Sequence, residues 1–122
     1  MEINGIAHVV LTAGDFARTR AFYGELLPFL GLAPVIDAPE FFYCVGGRTA
    51  FGIRPADRAH AGESFSQGRP GLHHVCFRLR SREEIDALHA FLVARDAAIV
   101  HPPEEAAFAP GYYSVLFEDP DG

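Results

Sequence analysis

The sequence has no tryptophan, one methionine and only two cysteines, Cys44 and Cys76. The two thiols lie far apart and form no C-x-x-C pair, which excludes the disulfide framework of a small secreted domain. Both are expected to serve as small apolar residues of the interior. Basic clusters are also missing: acidic residues outnumber basic ones 16 to 10, the formal charge is −6, and no group of Lys and Arg stands apart from neighbouring acids. Nucleic acid and anionic membrane surfaces are therefore excluded as natural partners. No apolar run approaches the ~20 residues of a membrane span, and Met1-Glu2-Ile3-Asn4 carries no basic segment leading into an apolar one, so a cytoplasmic location is expected.

What the chain does contain is core-forming material. Its 122 residues are 49% hydrophobic, with 11 phenylalanines and 4 tyrosines, enough for one folded domain and too little for two independent ones. The domain is internally repeated. Ile6-Ala7-His8-Val9-Val10-Leu11 aligns with Leu72-His73-His74-Val75-Cys76-Phe77 at an offset of 66 residues, each a short β-rich run.

The same offset lays Asp15–Leu30 over Ser81–Asp96, and both segments read as helices. In the first, Phe22, Tyr23, Leu26, Leu27 and Leu30 recur at helical spacing behind a possible Asp15 N-cap, and Pro28 should end or kink it. In the second, Ser81 and Glu84 have the spacing of a capping box, with Ile85, Leu88 and Leu92 as the apolar stripe. Strand-like periods follow each helix: 33–36, 41–45 and 49–54 after the first, 98–101 and 112–118 after the second.

The expected architecture is α+β, two β-α-β-β-β modules at 1–54 and 71–122 joined by a polar, broken linker at 55–70. The second module is expected to lack its last strand, because the sequence stops at the turn Asp119-Pro120-Asp121-Gly122. A truncated or partly ordered chain is one explanation, and a sheet edge covered by another subunit is the other.

Strand alternation places Ala7, Val9 and Leu11 on one face and His8, Val10 and Thr12 on the other. In the second copy His73 groups with Val75, Phe77 and Leu79, and His74 with Cys76, Arg78 and Arg80. The apolar face should meet the helix, so His8 and His74 point away from it. If the copies face each other across a pseudo-twofold axis, these two imidazoles converge and could hold a divalent metal. A lone strand histidine is more often a hydrogen-bonded core or rim residue, but two at symmetry-related positions are harder to ascribe to chance. Arg78 could hold an anionic substrate group, and Tyr112, Tyr113 and Ser114, on the strand before the final turn, could line a cleft, as could Phe51 on the fourth strand.

Gly5–Leu11, Phe22-Tyr23, Gly71–Phe77 and Phe117-Glu118-Asp119-Pro120-Asp121-Gly122 together resemble the vicinal oxygen chelate superfamily. This group includes glyoxalase I, extradiol dioxygenases, fosfomycin-modifying thiol transferases and bleomycin-resistance proteins. The resemblance implies a divalent metal (Fe, Mn, Zn or Ni, not distinguished) held by His8 and His74 and by a carboxylate from a strand after Gly122. It further implies a small substrate bound through neighbouring oxygens, and a homodimer.

Two departures from the family pattern limit the choice of reaction. The fourth-strand glutamate of glyoxalase I is replaced by Phe51, Gly52 or a near neighbour, and the tyrosine of ring-cleaving dioxygenases by Leu116. No catalytic residue is assigned. The alternative expectation is a module that sequesters a bulky, basic ligand in the bleomycin-resistance manner, which the phenylalanine content and negative charge suit.

Overall fold

The computed structural model describes residues 1–122, and the chain divides into two compact units, Met1–Ser64 with Asp121, and Phe65–Pro120 with Gly122. The architecture is α+β, as expected.

The first unit runs β1 (His8–Ala13), α1 (Phe16–Phe29), β2 (Ala33–Ala38), β3 (Phe41–Gly46) and β4 (Thr49–Pro55). Its four-stranded sheet has the order β1-β4-β3-β2. Beta-1 and β4 are parallel, with His8 opposite Ala50 and Val10 opposite Gly52. The other neighbours are antiparallel, with a register shift between Pro34 and Ile36. A parallel pair needs a crossover, which α1 and the β2–β3 hairpin provide. The alternation expected for β1 is present: Val9 and Leu11 are half-buried and Ala13 buried, while His8, Val10 and Thr12 are exposed.

Local sequence dictates both ends of α1. Asp15 has an extended backbone and its carboxylate accepts a hydrogen bond from the Arg18 amide at 3.0 Å, satisfying a free donor of the first turn. At the other end Gly31 takes φ +83°. Its amide donates to the Pro28 carbonyl and the Leu32 amide to the Leu27 carbonyl, the paired bonds of a Schellman motif. Pro28 sits in the last turn without breaking the helix, which stops one residue later. The buried stripe is Thr19, Tyr23, Leu26 and Leu27, so the stripe expected from apolar spacing is shifted toward the N-terminus and includes a threonine. Against it pack Phe42, Cys44, Phe51 and Ile53, the inward residues of β3 and β4. Burial pushes the Cys44 thiol above its ordinary pKa.

The segment after β4 is more than a surface linker. A single 3-10 turn at Arg58–His60 leads to Gly62, whose amide donates to the Gly14 carbonyl at 3.2 Å. A Cβ on Gly14 would stand 2.4 Å from the Glu63 carbonyl oxygen, so only glycine admits this backbone approach. Asp121 closes the same spot. Its Oδ2 accepts from the Gly14 amide at 3.1 Å and from the Thr19 hydroxyl at 3.2 Å, with Arg18 at 3.9 Å. Thr19 is 1% exposed, so its hydroxyl has no recourse to water.

The second unit contains α2 (Arg82–Val93) and a hairpin of β5 (Ile99–Glu105) and β6 (Tyr113–Phe117). Ser81 caps α2, accepting from the Glu84 amide at 3.3 Å, while Glu84 reaches one residue further back than the usual capping box, to the Arg80 amide. The helix closes through Asp96, at φ +53°, with the same pair of bonds that ends α1: Asp96 amide to Val93 carbonyl and Ala97 amide to Leu92 carbonyl. Beta-5 extends past the expected end at His101. The register shift between His101 and Glu104 takes Pro102 and Pro103 out of the ladder, where a missing N–H does no harm.

One expected element does not form: residues 72–77 are not a strand. In the first unit β1 takes its ladder bonds from β4, and within residues 71–122 no strand stands as the counterpart of β4. Alternation nonetheless persists, with Val75, Phe77 and Leu79 half-buried and His74, Cys76, Arg78 and Arg80 exposed. Cys76 is thus not the interior residue expected. No helix is long and apolar enough to cross a membrane.

Replacing Asp121 by alanine strips the Gly14 amide and the buried Thr19 hydroxyl of their acceptor. The expected loss is about 1–3 kcal/mol of unfolding free energy, read from denaturant melts. A midpoint equal to wild type would show that the carboxylate contributes nothing.

Candidate functional site

The face of the first sheet that carries His8 is set by register; Ala50 and Gly52 on it are buried, while His8, Val10, Thr12 and Arg54 are exposed. His8, Val10 and Thr12 of β1 lie beside Ala50, Gly52 and Arg54 of β4, and Tyr43 of β3 stands opposite Gly52. Tyr43 stacks on Phe41 with centroids 5.5 Å apart and meets the His8 ring edge-on at 6.5 Å. Gly52 is needed here because a Cβ at this position would come within 2.7 Å of the Tyr43 ring. Nearest His8 the face is aromatic and aliphatic, and it becomes polar toward Thr12 and Arg54. Of the fourth-strand positions that share it, Ala50 and Gly52 carry no polar side chain and Arg54 carries an exposed guanidinium.

Phe51 points the other way. It is 2% exposed, pairs with Val9 in register, and its ring packs against Tyr23 of α1 at 5.0 Å. The expectation that Phe51 lines a cleft is corrected: it belongs to the core beneath the helix. Period-two alternation alone could not tell which parity of β4 faces α1, because that depends on register with β1.

In the second unit Tyr113 is likewise turned to its helix. The phenol donates to Asp86 Oδ1 at 2.7 Å, the Arg82 guanidinium lies 4.9 Å from the ring centroid, and Arg82 also pairs with Glu105 at 2.7 Å. The bond fastens β6 to α2. Ser114, its neighbour in β6, is half-buried and stands opposite Glu104. Tyr112 is 36% exposed and packs on Phe108. Arg78 is exposed.

His74 and His73 are both exposed, and instead of lying on opposite sides as in a regular strand their Nδ1 atoms meet at 2.9 Å. Sequence reasoning set His73 aside, and nothing but a departure from strand geometry brings the two rings together. His8 and His74 belong to different units. Both are solvent-accessible imidazoles, chemically suited to a divalent transition metal. No group of three or more His, Cys, Asp and Glu is clustered to hold an ion. A shallow hollow on the first unit, lined by Asn4, Gly5, Ile6, Ala7 and Arg48, includes none of the expected site residues.

A β-α-β-β-β unit with its crossover strand parallel to the first, followed by a helix and hairpin in the later half, defines an α+β protein. The chain belongs to the Glyoxalase/Bleomycin resistance protein/Dioxygenase superfamily, whose family model matches residues 5–122. It is 26% identical to a glyoxalase/bleomycin resistance protein from Albidiferax ferrireducens T118, over 95% of this chain and 91% of that one, with a TM-score of 0.75. It is 25% identical over 115 residues to the uncharacterized protein YqjT of Bacillus subtilis (strain 168), covering 93% of this chain and 90% of that protein. Lactoylglutathione lyase from Agrobacterium tumefaciens shares the fold, at 22% identity and a TM-score of 0.71 over 100% of this chain and 90% of that one.

The Tyr113–Asp86 bond raises the tyrosine pKa above its ordinary 10.0, first because the phenol donates to the carboxylate, then by desolvation and by the negative charge itself. A raised folded-state value means that this stabilisation is complete below the unfolded pKa and is lost as pH rises through the folded one. In ultraviolet titration, Tyr113→Phe should remove a tyrosinate transition lying above pH 10, and Asp86→Ala should move it downward. A Tyr113 transition unmoved in Asp86→Ala would show the bond to be absent in solution.

Proposed function

We propose that the protein is a small divalent-metal-dependent enzyme of the glyoxalase and dioxygenase type, in which His8 and His74 are metal ligands. The observation that carries this reading is the exposure of the imidazole at each of the two repeat-related positions. Each is free to ligate without disturbing a core. Ligation by both at once requires the two kinds of unit, from one chain or from two, to close on the same ion, and a homodimer is part of the proposal.

The metal would act as a Lewis acid toward neighbouring oxygens of a small substrate. Arg78 is assigned to an anionic substrate group as a fixed fork of N–H donors, and Tyr112 and Ser114 to contact with the remainder. The proposed location is the cytoplasm.

A second reading has its own observation. Phe41, Tyr43 and Val10 make the His8 face an aromatic and aliphatic surface without a carboxylate, which suits retention of an apolar or cationic molecule with no chemistry.

Metal analysis of the purified protein beside His8→Ala and His74→Ala separates the two. The enzyme reading expects bound metal in the wild type and its loss in each variant. Stoichiometric metal indifferent to both substitutions would defeat the ligand assignment. Ligand capture that survives a chelator would favour the binding module.

A further inference from the structure

The contact between His73 and His74 constrains what either ring can present to a ligand. Their Nδ1 atoms are 2.9 Å apart and the rings meet edge to face, at 81° with centroids 5.1 Å apart. At that distance one Nδ1 carries the hydrogen and the other the lone pair, since two lone pairs or two N–H groups repel. A neutral imidazole holds one ring hydrogen. The outer nitrogens are thereby fixed: the donor ring keeps a bare Nε2, and the acceptor ring keeps Nε2–H. While the bond holds, the pair offers one ligating nitrogen and one N–H donor, never two ligating nitrogens.

We infer that His73 is a positioning residue for His74. His74 donates its Nδ1–H to His73 Nδ1, which holds His74 in the tautomer whose Nε2 accepts a metal ion and leaves the His73 Nε2–H outward as a hydrogen-bond donor. The inference rests on the reading of His74 as a ligand and adds the partner that orients it. The physical reason is general: a ligating histidine is most effective when its other ring nitrogen is engaged, because the bond fixes tautomer and ring direction and raises basicity. The support behind His73 is visible too, since the Gln67 side-chain amide donates to its backbone carbonyl at 3.4 Å. The two rings are adjacent in sequence, so this device needs no distant element to assemble it.

The test titrates the full chain with Zn²⁺ alone, by competition with a chromophoric chelator, and reads imidazole tautomers by long-range proton–nitrogen-15 correlation. In the wild type His74 should carry its hydrogen on Nδ1, and Zn²⁺ should shift its Nε2. His73→Ala should weaken Zn²⁺ binding 10–100-fold, the usual effect of removing such a partner, and move His74 toward the Nε2–H tautomer. His73→Gln, whose Oε1 can still accept the bond, should retain most of the affinity.

Zn²⁺ affinity lost in His74→Ala but kept in His73→Ala, with an unchanged His74 tautomer, would overturn this inference and leave the ligand assignment standing. Affinity unchanged in both variants would overturn the assignment and the inference together. An Nε2–H tautomer at His74 in the Zn²⁺-loaded wild type would also overturn it.

Discussion

The junction of β1 and α1 in the first unit turns on the Asp121 carboxylate. Its Oδ2 serves two donors, the Gly14 amide and the Thr19 hydroxyl, that sit on either side of the Asp15 cap. A negative charge at this end of a helix also meets the partial positive charge of the first-turn amides. Because Gly14 immediately follows β1 and Thr19 heads the buried stripe of α1, one acceptor fixes both the exit of the strand and the direction in which the helix crosses the sheet. The parallel pairing of β1 with β4 depends on that crossing, and so does the parity that turns His8 outward and Phe51 inward.

The two units solve a common problem with unequal material. Nearly all fully buried apolar residues belong to the first, where α1 lies over a sheet of four strands. In the second, Leu88 and Leu92 of α2 are the buried pair, and polar fastenings carry more of the task. Tyr113 to Asp86 and Arg82 to Glu105 tie the hairpin to the helix along its outer edge. A comparable edge contact exists in the first unit, where Arg20 lies over the Phe42 ring and pairs with Asp37, which holds the Asp37 carboxyl below its ordinary range.

What the sequence made legible was local. Helix starts were readable at Asp15 and Ser81 because a cap involves residues three or four apart, and the alternation that turns His8 and His74 outward needs only neighbouring residues. The unreadable parts were non-local. Residues 72–77 have a β-rich composition yet pair with no other strand, and a ladder is a non-local feature. Phe51 was misplaced because its parity is set through β1, 42 positions earlier at Val9, and the Tyr113 bond was not readable because its partner Asp86 lies 27 residues away on another element. Asp121 was visible as part of a turn motif, but its acceptor role is set more than 100 residues up the chain.

Gly52 carries a consequence for how such a chain can change. With no side chain at this position the Tyr43 ring can lie across β4 toward His8, and any residue larger than glycine there would meet that ring at 2.7 Å. A change at position 52 is therefore coupled to the Tyr43 ring, which must be replaced or must turn aside. The aromatic face thus opposes, by steric contact with the Tyr43 ring, the arrival of a carboxylate on β4.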